Sequence, residues 1–243
     1  MTSEAIDDAL AERGWTVLDL PDPRPVFAAR DRLLERLRAT LPPLERLEDY
    51  HRFATDDDVH VATLHDLASY YWEQDLGRTI VTANLDVVRR VAGLDLQIQR
   101  RPYLRAVRPH HPGDASPLHR DTYYGASPYE VSFVIPFTDM SDAGALCVIS
   151  GSHLEPDERY PFAQQQSPDV AIRSRKHELG FPYAPRLLDA SLTARTERVP
   201  VRVGQALVFG LSLVHGGGVN TATTTRFSTD IRVVNALAPV RLS

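Results

Sequence analysis

Apolar residues recur at helical intervals through the first third of the chain. Residues 3–13 and 24–40 each carry such a pattern, followed by Gly14 and by Leu-Pro-Pro, and both predict amphipathic helices. The run at 15–20 between them predicts a strand. Residues 60–93 are again helical in pattern, and we expect two helices there with a break near Trp72. We therefore expect the first 93 residues to be mostly helical and to support the rest of the domain.

The pattern changes near Gly93 to short apolar or alternating runs. Turn residues separate most of the runs, which predict strands within 96–109, 130–137, 144–150, 197–203, 206–210, 211–216 and 226–237. Helices followed by a block of strands indicate an α+β fold, with the helices packed outside a β-sandwich. We expect a single domain over 1–243 with its β core in 94–243.

One long segment, 153–191, does not fit the strand pattern. It is polar, and it contains aromatic and cationic runs such as "ERYPF" and "SRKHELGFPY". Insertions of this length in compact domains are more often functional than idle. We therefore expect a lid-like insertion over a ligand site.

Composition and charge exclude several classes of partner. The net charge of −5 leaves no basic excess for nucleic acid or an acidic membrane surface. No run approaches the length of a membrane helix, and the acidic N-terminal residues are unlike a secretion signal. The single cysteine, Cys147, forms no intrachain disulfide and favours a cytoplasmic location.

A possible metal site combines two distant segments. His119 and Asp121 are two residues apart at what reads as a strand end, so both side chains would point to one face. His-x-Asp alone is expected about once by chance in a chain of this composition. A second imidazole, His215, ends a later apolar segment before three glycines. Two imidazoles and one carboxylate form the facial triad of non-haem Fe(II) sites, with open positions left on the metal.

An arginine follows the last of these residues at a fixed distance. Arg226 lies eleven positions after His215 and opens a predicted strand that aims Arg226 and Ser228 to the same side. A guanidinium beside a hydroxyl suits a carboxylate, as a dicarboxylic cosubstrate would require. In an arginine-rich chain such a match also arises by chance, and its weight comes from coinciding with the triad.

The order of these features resembles a known family. His119-x-Asp121, "VISGSHL" at 148–154, His215 and Arg226 are similar to the pattern of phytanoyl-CoA dioxygenase-like oxygenases, especially short bacterial members in natural-product pathways. The resemblance covers about residues 98–237 and implies a double-stranded β-helix, a jelly-roll barrel with iron at its mouth. It implies Fe(II) ligation by His119, Asp121 and His215 and binding of 2-oxoglutarate by Arg226, with Ser228 as a helper.

The resemblance also implies the chemistry. With 2-oxoglutarate and O2, such an enzyme hydroxylates a small molecule and releases succinate and CO2. Asp121 stands where related halogenases have Gly or Ala, which disfavours halogenation. Desaturation, epimerisation or cyclisation remain alternatives, as does a cupin-type metal-binding isomerase or binding protein. Arg226 distinguishes the oxygenase from the cupin-type alternative, because a cupin does not need an arginine at that position to bind a carboxylate.

Substrate contacts are expected on the strands beside the metal residues. The candidates are Tyr103, Arg105, Tyr123 and Arg232, and we expect a small polar, amino-acid-like substrate. Asp230 and Arg232 share a face with Arg226, and a buried charge must be paired, so an ion pair between Asp230 and Arg232 is expected. We expect a monomer or a homodimer.

Overall fold

The computed structural model describes residues 3–41, 43–163, 170, 173–181 and 186–238. Its α-helices are α1 Ser3–Arg13, α2 Arg24–Thr40, α3 Asp57–Glu73, α4 Leu76–Ala83, α5 Leu85–Ala92 and α6 Arg175–Glu178. Its strands are β1 Trp15–Asp19, β2 Leu96–Ile98, β3 Tyr103–Val107, β4 Glu130–Pro136, β5 Leu146–Val148, β6 Phe162–Ala163, β7 Arg186–Leu187, β8 Glu197–Val199, β9 Gln205–Gly210, β10 His215–Gly216 and β11 Arg226–Asn235. None of the described helices is long and apolar enough to cross a membrane.

The helical support contains three helices after residue 56 where two were predicted. The side chain of Asp56 accepts hydrogen bonds from the amides of Asp58 and Val59 and begins α3. The break lies at Asp75 and not at Trp72, because Asp75 adopts a left-handed backbone with φ 52°. A second break falls at Asn84, whose side-chain amide donates to the carbonyl oxygens of Asp22 and Ile80.

The strands form a larger and a smaller antiparallel sheet, with a short β6–β7 ribbon beside them. The larger sheet has the order β1-β9-β4-β11-β2, and β3 also pairs with β11. The smaller sheet has the order β10-β5-β8. The α+β class predicted from the sequence is therefore confirmed. Of the predicted strand 211–216, only His215–Gly216 pairs as a strand, because the chain turns where the amide of Leu213 donates to the carbonyl of Gly210.

Strand alternation divides the larger sheet into two faces. On β4 and β11, Phe133, Ile135, Phe227 and Ile231 are buried against the helices. Val134 points to the other face, in an apolar cluster with Val148 and Val199 of the smaller sheet. Arg226, Ser228, Asp230 and Arg232 of β11 share this second face and line a cavity between the sheets.

Candidate metal and 2-oxoglutarate site

The two histidines of the predicted triad lie on segments that pair with each other. The backbone amide of His119 donates to the carbonyl of His215 at 2.9 Å, and the reverse bond measures 3.0 Å. Gly216 permits this close approach, since a Cβ there would lie 2.9 Å from the carbonyl oxygen of Pro117. The ring centroids of the two histidines are 4.5 Å apart.

Asp121 completes a buried cluster with both rings. Its Oδ1 lies 3.5 Å from Nε2 of His119, and its Oδ2 lies 3.8 Å from Nε2 of His215. Burial by itself raises the pKa of Asp121, but the close contact with His119 and the charges of His215, His119 and Arg232 outweigh it and lower that pKa far below its usual value. Asp121 is therefore an ionised carboxylate.

The donor atoms fit a divalent transition metal. Nδ1 of His119 lies 2.7 Å from the carbonyl oxygen of Pro117, and Nδ1 of His215 lies 3.0 Å from that of Leu213. Carbonyl oxygens only accept, so each Nδ1 carries the proton and each Nε2 is left as a lone-pair donor. Burial lowers the pKa of His215 to about 4, which keeps its ring neutral. One ligand atom from each of the three residues lies within 4.8 Å of the others.

Arg226 is buried on the cavity side of β11. It is 6% exposed, its Nη1 donates to the carbonyl of Gly144 at 2.8 Å, and its Nε has no hydrogen-bond partner among the described residues. Within the described part of the chain no carboxylate forms an ion pair with it, and Arg105 adds a second positive charge nearby. Burial, followed by the charge of Arg105, lowers the pKa of Arg226 to about 10. A buried, unpaired guanidinium of this kind suits an anionic ligand.

The neighbours of Arg226 along β11 line the same cavity. Ser228 is 2% exposed, and Asp230 and Arg232 follow it on the same face. The ion pair expected between Asp230 and Arg232 is not the contact that forms. Nη2 of Arg232 lies 3.0 Å from Oδ1 of Asp121, while Asp230 accepts a hydrogen bond from the hydroxyl of Ser132. The sequence prediction was wrong here because Asp121 comes from a segment that folds back across the sheet.

Three of the four predicted substrate residues reach the cavity, namely Tyr103, Arg105 and Arg232. The guanidinium carbons of Arg105 and Arg232 lie 5.0 and 5.2 Å from the ring centroid of Tyr103. Arg105 also donates to the carbonyl oxygens of Leu179 and Gly180, at 3.1 and 2.6 Å, and so contacts the long insertion 153–191.

Tyr123 does not line this cavity. Residues Asp121–Tyr124 form a 3-10 turn and not a strand end. The two-residue alternation of a strand therefore does not predict where their side chains point. The ring of Tyr123 stacks on Phe162 at 4.0 Å between centroids, and its hydroxyl donates to the carbonyl of Tyr160. Tyr124 lines the cavity in its place and meets the His119 ring edge-on at 5.4 Å.

The cavity that joins these groups has a volume of about 400 Å³. His119, Asp121 and His215 lie on it together with Arg226 and Ser228. One enclosed space therefore holds a metal-binding cluster and an unpaired buried cation, and it has room for small ligands.

Two residues that sequence reasoning did not single out hold the triad in place. Arg120, 3% exposed, points away from the cavity and donates to the carbonyl oxygens of Ser152 and Glu155 at 2.5 and 2.9 Å. The hydroxyl of Ser152 accepts from the amide of Val214 at 2.8 Å, directly before His215. The only sequence signal for Arg120 was its position between two candidate ligands.

Comparison with solved structures identifies the fold. ThoJ, a non-heme monooxygenase in its apo form, is 19% identical with a TM-score of 0.58, and the match covers 95% of this chain and 77% of that one. EvdO2 from Micromonospora carbonacea var. aurantiaca, complexed with 2-oxoglutarate, is 16% identical with a TM-score of 0.57, over 99% and 94% of the two chains. SnoK, a non-heme alpha ketoglutarate dependent carbocyclase from nogalamycin biosynthesis, is 16% identical with a TM-score of 0.53, over 97% and 85%. At identities this low, the structural similarity shows that the fold is shared and nothing more.

The sequence itself supplies the family. No curated protein matches the chain significantly. The phytanoyl-CoA dioxygenase (PhyH) family, however, matches residues 29–228, which include both histidines, Asp121 and Arg226. The chain therefore belongs to the phytanoyl-CoA dioxygenase family of iron(II)- and 2-oxoglutarate-dependent oxygenases.

Proposed function

We propose that this protein hydroxylates a small polar metabolite, using Fe(II), 2-oxoglutarate and O2 and releasing succinate and CO2. The observation that carries the proposal is the cavity itself, which holds a metal-binding cluster and a buried cation without a carboxylate partner among the described residues. Iron bound there would supply the oxidative decarboxylation of 2-oxoglutarate and the oxidant that attacks a C–H bond. The protein positions the reactants and excludes water.

Each site residue has a role in this proposal. His119, Asp121 and His215 hold the iron, with both imidazoles presenting Nε2. Arg226 binds the carboxylate of 2-oxoglutarate remote from the metal, with Ser228 as a hydrogen-bond donor on the same face of β11. A cupin-type isomerase or binding protein would not need this arginine, and so Arg226 favours the oxygenase.

We infer that the two sheets are the halves of a double-stranded β-helix, the fold of the family. The pairing of His119 with His215 and the apolar cluster between the sheets support this arrangement. In this view the whole chain is one domain, and its N-terminal helices cover the outer face of the larger sheet.

The insertion at 153–191 is proposed as the lid of the cavity. Its residues 164–169, 171–172 and 182–185 lie outside the described residues. His177, Leu179, Gly180 and Phe181 all line the cavity. Oε2 of Glu178 lies 2.9 Å from Nε2 of His65, which ties this part of the insertion to α3.

The substrate half of the cavity favours a polar molecule of amino-acid type. Tyr103, Arg105 and Tyr124 offer aromatic walls and hydrogen-bond donors, and Glu130 and Asp230 add carboxylates near them. Such a mixture suits a ligand that carries groups of both charges. Cyclisation, desaturation and epimerisation are the alternative outcomes at the same site, and cyclisation is the activity in the name of SnoK.

The proposal is tested by anaerobic titration followed by turnover. Fe(II) and 2-oxoglutarate together are expected to give a weak visible charge-transfer band that neither gives alone, and Arg226→Met is expected to abolish it at the same concentrations. Succinate release is then measured across candidate small metabolites. A product heavier by one oxygen supports hydroxylation, loss of two hydrogens indicates desaturation or cyclisation, and an unchanged mass indicates epimerisation. Absence of the band would overturn the oxygenase proposal.

A further inference from the structure

The two carboxylate oxygens of Asp121 have different surroundings. Oδ1 lies 3.0 Å from Nη2 of Arg232, within hydrogen-bonding distance of a guanidinium. Oδ2 is buried, finds no hydrogen-bond partner in the described part of the chain and lies 3.8 Å from Nε2 of His215. Oδ1 is therefore already paired with Arg232, whereas the lone pairs of Oδ2 are free on the side of His215.

Arg232 is held where it makes this contact. It lies within β11, which pairs with β4 on one side and β2 on the other, and its side chain is 18% exposed. Its guanidinium carbon lies 5.2 Å from the ring centroid of Tyr103. A guanidinium is always charged in proteins, so Arg232 places a permanent positive charge beside Oδ1.

We propose that Arg232 is a positioning residue that reserves Oδ1, so that Asp121 offers only Oδ2 to the metal. This inference rests on the proposed function. In an octahedral site, two imidazoles, one carboxylate oxygen and a chelating 2-oxoglutarate leave one position open. If both oxygens of Asp121 bound the metal, that last position would be filled and O2 would have no place. Arg232 would therefore protect the open position from the ligand carboxylate.

The test compares Arg232→Met and Arg232→Lys with the wild type, with Arg105→Met as the matched control. Arg105 lies beside the same tyrosine ring and loses the same charge, but it does not contact Asp121. The probe is Co(II) added to metal-free protein, read by its visible absorption. Removing an outer partner of a metal ligand typically weakens metal binding about 10–100-fold. We expect that loss and a changed Co(II) spectrum for Arg232→Met, a smaller loss for Arg232→Lys, and neither effect for Arg105→Met.

A crystal structure of the Co(II)-loaded wild type gives an independent measurement. We expect Oδ2 on the metal and Oδ1 on Arg232, and both oxygens on the metal in Arg232→Met. Oδ1 on the metal in the wild type would overturn the inference. If Arg232→Met does not fold, as judged by circular dichroism, the wild-type structure and the Arg232→Lys titration decide the question.

The inference and the proposed function can fail separately. If the wild type binds no Co(II) at the triad, both are wrong. If the wild type binds Co(II) and 2-oxoglutarate but folded Arg232→Met keeps wild-type affinity and spectrum, only the role of Arg232 is wrong.

Discussion

Nη2 of Arg232 on β11 lies 3.0 Å from Oδ1 of Asp121, which is the first residue of the 3-10 turn Asp121–Tyr124. This ion pair joins the metal cluster to the sheet that carries Arg226. Because both charges are largely buried, removal of one partner leaves the other poorly solvated.

A double-mutant cycle measures this pair in the metal-free protein. Asp121→Ala leaves the charge of Arg232 without its nearest carboxylate, so adding Arg232→Met to that variant is expected to cost less stability than the same change in the wild type. We expect a coupling free energy of about 1–2 kcal/mol, the usual size for contacting residues. Urea unfolding of the wild type, the two single variants and the double variant measures this coupling free energy. If the two single changes in the free energy of unfolding add exactly in the double variant, the residues do not interact.

Replacement of Arg226 should affect stability and cosubstrate binding in opposite directions. Arg226→Met removes an unpaired buried charge and is expected to stabilise the metal-free protein by about 1–3 kcal/mol. The same change should raise the KM for 2-oxoglutarate by about 10-fold or more, because the charge-assisted hydrogen bonds are lost. Arg226→Lys is the control: it keeps the charge but loses the planar fork, so we expect the higher KM without the gain in stability. Thermal unfolding of the metal-free proteins measures the change in stability, and the rate of succinate release at varied 2-oxoglutarate concentration measures the KM.

Arg120 should control metal affinity without touching the cavity. Arg120→Met removes the hydrogen bonds to the carbonyl oxygens of Ser152, which is buried, and Glu155, and it also removes an ion pair with Asp157. We expect a loss of about 2–4 kcal/mol in the free energy of unfolding and weaker Co(II) binding, since the backbone between His119 and Asp121 is no longer anchored. Arg159→Met, which loses only an exposed ion pair with Glu155, serves as the control and should change neither quantity.

Stability should fall in mild acid because of His60. This buried ring lies 3.0 Å from the hydroxyl of Tyr50, and burial lowers the pKa of His60 from 6.5 to about 4. Between these values the unfolded chain binds a proton that the folded protein does not. The contribution of the neutral, buried His60 to the free energy of unfolding is therefore fully present above pH 6.5. It is lost as the pH falls towards 4, by about 3 kcal/mol in total.

The comparison that isolates this effect uses His60→Gln, which keeps polar atoms in the site but does not titrate. Urea unfolding at several pH values is expected to show that the free energy of unfolding falls less steeply for the variant than for the wild type between pH 6.5 and 4. Parallel curves for the two proteins would mean that His60 titrates normally in the folded state.

The lid can be tested at Gly180. This residue has φ 71°, and a Cβ there would lie 2.6 Å from Cδ1 of Tyr103. Gly180→Ala should therefore displace the insertion from the cavity wall and raise the KM for the organic substrate about 10-fold, with little change in Co(II) affinity. Gly204→Ala is the control for backbone strain, because Gly204 also has positive φ but does not line the cavity, and its added Cβ would come no nearer than 3.4 Å to a described atom, Cβ of Pro23. Equal effects at both positions would argue against a lid contact.

The sequence by itself determined the features that depend on local geometry. The bounds of α2 follow from helical periodicity and from the proline-rich segment after it. The shared face of Arg226, Ser228 and Arg232 follows from the two-residue repeat of a strand, which holds whatever the strand packs against. The candidate triad could also be predicted, because two histidines and one aspartate coincided with the family's order of motifs.

Only the tertiary structure decided which groups meet. Arg232 pairs with Asp121 and not with its strand neighbour Asp230, and Tyr124 replaces Tyr123 at the cavity because the segment is a 3-10 turn. Arg120 finds its acceptors more than thirty residues away along the chain. The direction of a side chain follows from its own backbone, but its partner depends on which distant segment folds opposite, and that is fixed by the packing of the whole sheet.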